Sequence, residues 1–183
     1  MAVRAVPASL AQIPNALTVF RLLLIPVFVA LLLAADGGHS WPAAIVFGVA
    51  GVTDQVDGFL ARRWHVESSF GKVADPLADR LMIDAAVILL WHADRLPWIA
   101  LAIPVRDVAL VAGYKLVVGR GYDFAVNLAG KAATWLLYAA LAFVMVTRKS
   151  ADWPLWMFWA GVALAAIALA GYLIKARREV EPA

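Results

Sequence analysis

Apolar positions in this chain gather into six long stretches, at roughly 14–34, 42–61, 75–93, 98–118, 129–147 and 154–174. A helix needs about 20 mostly apolar residues to cross the hydrocarbon of a bilayer, and each stretch approaches that length. The breaks between them carry turn chemistry: Asp36-Gly37-Gly38, Glu67-Ser68-Ser69, the run from His92 to Pro97, Gly119-Arg120-Gly121, and the run from Lys149 to Asp152. The pattern predicts an all-α polytopic membrane protein of six transmembrane helices, forming one domain over residues 1–183 with no room for a soluble one. Leu33-Ala34-Ala35 imitates a signal-peptide cleavage site. The apolar stretch before it is too long for that, and five more follow.

Composition agrees. Hydrophobic residues make up 64% of the 183 and charged ones 16%, against roughly 25% charged in a soluble domain. The absence of cysteine excludes a disulfide framework and a Cys-ligated zinc or iron–sulfur site. Lys and Arg then orient the chain. Six spans put both termini on one side, which receives Arg4, Arg62, Arg63, Lys72, Lys115, Arg120, Lys131 and the tail Lys175, Arg177 and Arg178. That side is read as cytoplasmic. Arg95, Arg148 and Lys149 fall on the other. Val3 to Gln12 is read either as a short helix along the interface or as a terminus without fixed structure. Most of the eight Trp, including Trp41, Trp64, Trp91, Trp98 and Trp153, fall near span ends as interfacial anchors. His39, His65 and His92 sit near loops as ordinary interfacial residues.

Several of the 13 acids fall where lipid is expected. Asp54 and Asp57 are three apart at the end of span two, while Asp75 and Asp79 are four apart at the start of span three. Each pair shares a helix face, and the short loop between makes the two spans antiparallel neighbours. Four carboxylates brought together repel and are costly to desolvate, so cations must stand among them. An all-oxygen set favours Mg²⁺, Mn²⁺ or Ca²⁺ over zinc, and two such ions suit a pyrophosphate substrate. Gly58 and Ala61 lie on the Asp54/Asp57 side and leave space for a ligand. Gly71 is expected to bend the loop, and Pro76 to occupy the first turn of span three.

These positions resemble the CDP-alcohol phosphotransferase family, whose pattern is Asp-x2-Asp-Gly-x2-Ala-Arg-x8-Gly-x3-Asp-x3-Asp. Asp54, Asp57, Gly58, Ala61, Arg62, Gly71, Asp75 and Asp79 match it with spacing unbroken. The resemblance covers essentially the whole chain and implies a six-helix membrane transferase that moves a phosphatidyl group from a CDP-linked donor to an alcohol, releasing CMP. It implies that Asp54, Asp57, Asp75 and Asp79 hold two divalent cations, Mg²⁺ or Mn²⁺, with Asp79 also the general base. Gly58, Ala61, Arg62 and Gly71 would border the CDP moiety. The opening Pro14-Asn15-Ala16-Leu17-Thr18-Val19-Phe20-Arg21 is similar to that of the phosphatidylglycerophosphate synthase and cardiolipin synthase branch, with Asn15, Thr18 and Arg21 turned toward the donor headgroup.

For the acceptor, Arg106 in span four and Lys131 in Gly130-Lys131-Ala132-Ala133-Thr134 are candidates to hold a phosphate. Arg106 is equally read as a partner of Asp107, and Asp84 as a partner of Arg80. The implied partners are CDP-diacylglycerol, the bilayer, and either glycerol 3-phosphate or, as in a cardiolipin synthase, phosphatidylglycerol. A homodimer follows from the family's habit, and no nucleic-acid partner is expected. The expected location is a bacterial cell membrane with the active site facing the cytoplasm. Intramembrane acids also mark ion pathways, so a divalent-cation transporter is the competing class. Against it, the acids cluster near one face and no discontinuous helix pair is apparent.

Overall fold

The computed structural model describes the backbone of residues 13–64, 69–117 and 128–180. Side chains are described there except at 13–15, 55–64, 69–77, 79, 110–117, 128–129, 169 and 172–180. The described residues are all-helical: α1 (Ile13–Leu33), α2 (Trp41–Trp64), α3 (Ser69–His92), α4 (Ala102–Val117), α5 (Leu128–Val146) and α6 (Trp153–Val180). Short 3₁₀ turns at Asp36–Gly38 and Trp98–Leu101 precede α2 and α4. The segment Val3 to Gln12 lies outside the described residues.

Prolines mark several of the helix starts. Pro14, Pro42 and Pro154 are the second residues of α1, α2 and α6, and Pro104 is the third of α4. A first-turn proline gives up an N–H that has no partner within the helix. Ser40 caps α2, its hydroxyl accepting the N–H of Ala43 at 3.1 Å. At the other end of α3, Asp94 takes a left-handed conformation with φ 54. The N–H of Arg95 then reaches the carbonyl of Leu90 at 2.8 Å, and that of Asp94 reaches Trp91 at 3.0 Å. This is the Schellman arrangement that satisfies the last carbonyls of a helix.

The end of α5 is closed by other segments. Arg95 Nη2 donates to the carbonyls of Val144 and Thr147. The backbone N–H of Ser40 donates to Met145 at 2.8 Å, and His39 Nε2 donates to Val146 at 3.1 Å. Four successive carbonyls, otherwise orphaned at a helix end, thus draw the α1–α2 and α3–α4 connections onto α5.

Helix α1 packs against α2 and α3, α2 also against α5, α5 against α6, and α3 against α4. Phe28 of α1, Phe47 of α2 and Tyr138 of α5 form a chain of rings, with centroids 5.4 and 4.8 Å apart. Gly51 lets that contact form: a Cβ there would lie 2.8 Å from the Tyr138 ring. The outer surface is apolar as well. Val19, Leu23, Ile45, Val105, Val108 and Ile167 are exposed, as are Trp41, Trp91, Trp98 and Trp153 near helix ends.

The six stretches read from the pattern all appear as helices, but three details differ. Helix α3 starts at Ser69 rather than near residue 75, so Gly71 is inside it and Pro76 is its eighth residue. Residues 69–75, in which Ser69, Gly71, Lys72 and Asp75 interrupt the apolar pattern, extend the helix beyond the apolar run that marked it. Span four is a 3₁₀ turn followed by α4, with Pro104 in the first turn of the α-helix proper. Among the described residues one helix, Ala16–Leu33, is long and apolar enough to cross a membrane by itself. Trp41–Asp54, Gly130–Val146 and Trp153–Ala168 are shorter apolar helices among the described residues.

Gly51→Ala should destabilise the protein by about 1–3 kcal/mol through overpacking against Tyr138. Gly48, whose Cβ would meet nothing within 4 Å, should tolerate Ala or gain up to about 1 kcal/mol from helix propensity. Thermal unfolding of the two variants in neutral detergent checks the contrast.

Candidate active site

Helices α2 and α3 are contacting neighbours, and the acid-bearing stretches, expected at helix ends, lie inside the halves nearest their connection because both helices run on past them. The backbone is helical through 54–57 and through 75–79. The spacings of three and four therefore keep each pair on one face of its helix. Of the four acids, the side chain of Asp54 is described; those of Asp57, Asp75 and Asp79 lie outside the described residues, as do those of Asn15, Gly58, Ala61, Arg62 and Gly71.

Asp54 is held from α1. Arg21 Nη1 stands 2.8 Å from Asp54 Oδ1, with the Arg21 side chain fully buried and Asp54 21% exposed. Thr18, one turn earlier on α1, is also buried, so the polar face predicted for span one does point into the bundle. A guanidinium shut away from water needs a counter-charge, and for Arg21 that charge is Asp54. Arg21, expected on the donor-headgroup side of α1, stands against the first acid of the cluster.

The metal expectation can be tested on the donor set. The oxygen donors are carboxylates, the chain has no thiolate, and the one described member is partly open to solvent in the second half of α2. Such residues fit a hard divalent cation. Among the described residues no group of three or more His, Cys, Asp or Glu is gathered.

A second charged cluster lies where α3 meets α4. Asp107, nearly buried, receives two guanidinia on one oxygen. Arg80 Nη1 donates to Oδ1 at 2.5 Å, Arg106 Nε donates at 2.9 Å, and Arg106 Nη2 lies 2.8 Å away. Arg80 and Arg106 are each 40% exposed. One carboxylate thus fixes two cations that remain open on their other sides, an arrangement able to receive a phosphate. Of the two readings of Arg106, the pairing with Asp107 is observed, and it leaves the phosphate role open.

The expected Arg80–Asp84 pair does not form. Arg80 turns to Asp107 on the neighbouring helix, and one oxygen of Asp84 is buried without a hydrogen-bond partner. The i, i+4 spacing offers Asp84, but the buried Asp107 provides a stronger, less solvated partner. Lys131 is exposed in the first turn of α5, where Thr134 donates to the Gly130 carbonyl at 3.1 Å. Sequence reasoning missed Asp107 as the hub, although an Arg-Asp pair inside an apolar stretch was its visible signal.

A family model for CDP-alcohol phosphatidyltransferase matches residues 11–168. A CDP-diacylglycerol–glycerol-3-phosphate 3-phosphatidyltransferase of Bacillus subtilis (strain 168) is 38% identical over 168 residues, covering 80% of this chain and 86% of that protein. The protein of the same name from Escherichia coli (strain K12) is 34% identical over 158 residues, covering 84% of each.

A double-mutant cycle with Arg21→Met and Asp54→Asn should show a coupling of about 1–3 kcal/mol, the range for groups in direct contact. Chemical unfolding of metal-free protein in detergent measures it.

Proposed function

The chain belongs to the CDP-alcohol phosphatidyltransferase family, and from that membership we propose that it transfers the phosphatidyl group of CDP-diacylglycerol to glycerol 3-phosphate, releasing CMP. The observation that carries this reading is the shared name of the Bacillus and Escherichia relatives, which specifies both donor and acceptor. It favours glycerol 3-phosphate over phosphatidylglycerol, the acceptor of a cardiolipin synthase. A transporter has no comparable support.

In this reading Asp54, Asp57, Asp75 and Asp79 hold two divalent cations, Mg²⁺ or Mn²⁺, which when bound neutralise the pyrophosphate and the leaving CMP. Arg21 fixes Asp54 from behind. Gly58, Ala61, Arg62 and Gly71 border the cytidine diphosphate, with Asn15 and Thr18 on the facing side of α1. Asp79 takes the proton of the acceptor hydroxyl. The freed oxygen bonds to the phosphorus that carries diacylglycerol, and the bond from that phosphorus to CMP breaks. Arg106, held by Asp107, and Lys131 receive the phosphate already on the acceptor.

The proposal places all six helices in a bacterial cell membrane. The outward-facing Val, Leu and Ile side chains, with exposed Trp near helix ends, support this. The charges of α2, α3 and α4 whose partners are described pair within the bundle, Asp54 with Arg21 and both Arg80 and Arg106 with Asp107. The bias of Lys and Arg then sets the active site and both termini toward the cytoplasm.

Purified protein given CDP-diacylglycerol and Mg²⁺ should release CMP with glycerol 3-phosphate and not with phosphatidylglycerol; the reverse would assign it to the cardiolipin branch. Chelation of divalent cations should stop turnover. Asp79→Asn should cost roughly 100- to 10,000-fold in kcat, the usual contribution of a general base, while CDP-diacylglycerol binding persists. Equal loss of binding would remove Asp79 from that role.

A further inference from the structure

Three cations stand apart from the charge bias that orients the chain: Arg95, Arg148 and Lys149. They come from two connections more than fifty residues apart in sequence, yet they line one cavity of about 110 Å³, together with Asp94, Thr147 and Pro154 among others. That volume is the room of about three or four waters, enough for a phosphate group. The cavity lies at the α3–α4 end of the bundle. Asp79 is thirteen residues before the end of α3, roughly 20 Å along the helix axis, so this cavity is distinct from the acid cluster.

Arg95 is the inner cation, 8% exposed. The Schellman turn after α3 aims it between the ends of α5 and α6. Both of its hydrogen bonds leave from Nη2, to the carbonyls of Val144 and Thr147. Those carbonyls account for one nitrogen of the guanidinium, whose five N–H groups form a fork. Among the described residues no carboxylate pairs with it. Burial lowers its pKa from the ordinary value by withholding water, yet a guanidinium stays charged under these conditions. Helix capping explains the Nη2 contacts. It does not explain why two further cations, exposed Arg148 and Lys149, border the same space, or why the charged lining is three cations against one carboxylate.

We propose that this cavity binds a phosphate anion, presented by an anionic phospholipid headgroup or free in solution, with Arg95 as the inner cation and Arg148 and Lys149 as the outer ones. Buried charges are normally met by an opposite charge, and a planar guanidinium matches phosphate oxygens in pairs. Asp94 lines the cavity as the opposing charge and weakens the binding.

The test follows the thermal midpoint of the full-length protein in neutral detergent during titration with sodium phosphate, dihexanoyl phosphatidylglycerol or dihexanoyl phosphatidylcholine, at matched ionic strength. In the wild type, phosphate or phosphatidylglycerol should raise the midpoint by mass action. A response to phosphatidylglycerol alone identifies a headgroup site, and a response to phosphate identifies a free-anion site. The Arg148→Ala/Lys149→Ala variant should bind about tenfold more weakly. Asp94→Asn, which keeps a residue type tolerant of the left-handed conformation, should bind more tightly. The proposal fails if neither anion shifts the midpoint, if all three proteins bind alike (as binding at the acid-cluster end would give), or if phosphatidylcholine is as effective as phosphatidylglycerol.

Discussion

A charge inside an apolar helical bundle must be met by another charge, a dipole or an ion, because water is not there to solvate it. The Arg21–Asp54 pair is where that constraint is strictest. Arg21 has no solvent exposure, and the carboxylate of Asp54 faces it at 2.8 Å. The pair therefore fixes the rotation of α1 against α2 more firmly than apolar packing alone, since a Phe or Leu can slide against a neighbour and an ion pair cannot. It also leaves the first acid of the Asp54–Asp79 cluster pre-oriented. The polar residues that make α2 and α3 less apolar are thus the ones that align them.

The same constraint organises the contact between α3 and α4. Asp107 carries two guanidinia on one oxygen, which brings Arg80, the residue after Asp79, next to Arg106. In the proposed reaction the base and the cations for the acceptor's phosphate then share one rigid support. Asp84 is the counter-example: one of its oxygens is buried without a partner, and nothing in the structure explains what it gains. At the opposite end, polar backbone groups play the corresponding part. The α5 carbonyls from Val144 to Thr147 collect Arg95, His39 and Ser40, and so bring the cationic cavity into being.

Much of this was legible in advance. Six apolar runs became six helices. The spacing of three put Thr18 and Arg21 on one face of α1, and the structure added that this face is buried. Other features were not legible. Apolar length alone gave no sign that α3 begins at Ser69, because Ser69, Gly71 and Lys72 interrupt the apolar pattern and look like a loop when only hydropathy is read. Arg80 had a plausible partner four residues away and took another twenty-seven residues away.

The sequence by itself determined the helical class, the spacing of four carboxylates over 26 residues and the family that spacing belongs to, since these depend on covalent order and helix periodicity. Tertiary structure alone decided which distant charges meet. Arg21 with Asp54, Arg80 with Asp107, and the cations Arg95, Arg148 and Lys149 around one cavity are all set by how helices pack. Coulomb attraction depends on distance and local dielectric, and neither is written in the order of residues along the chain.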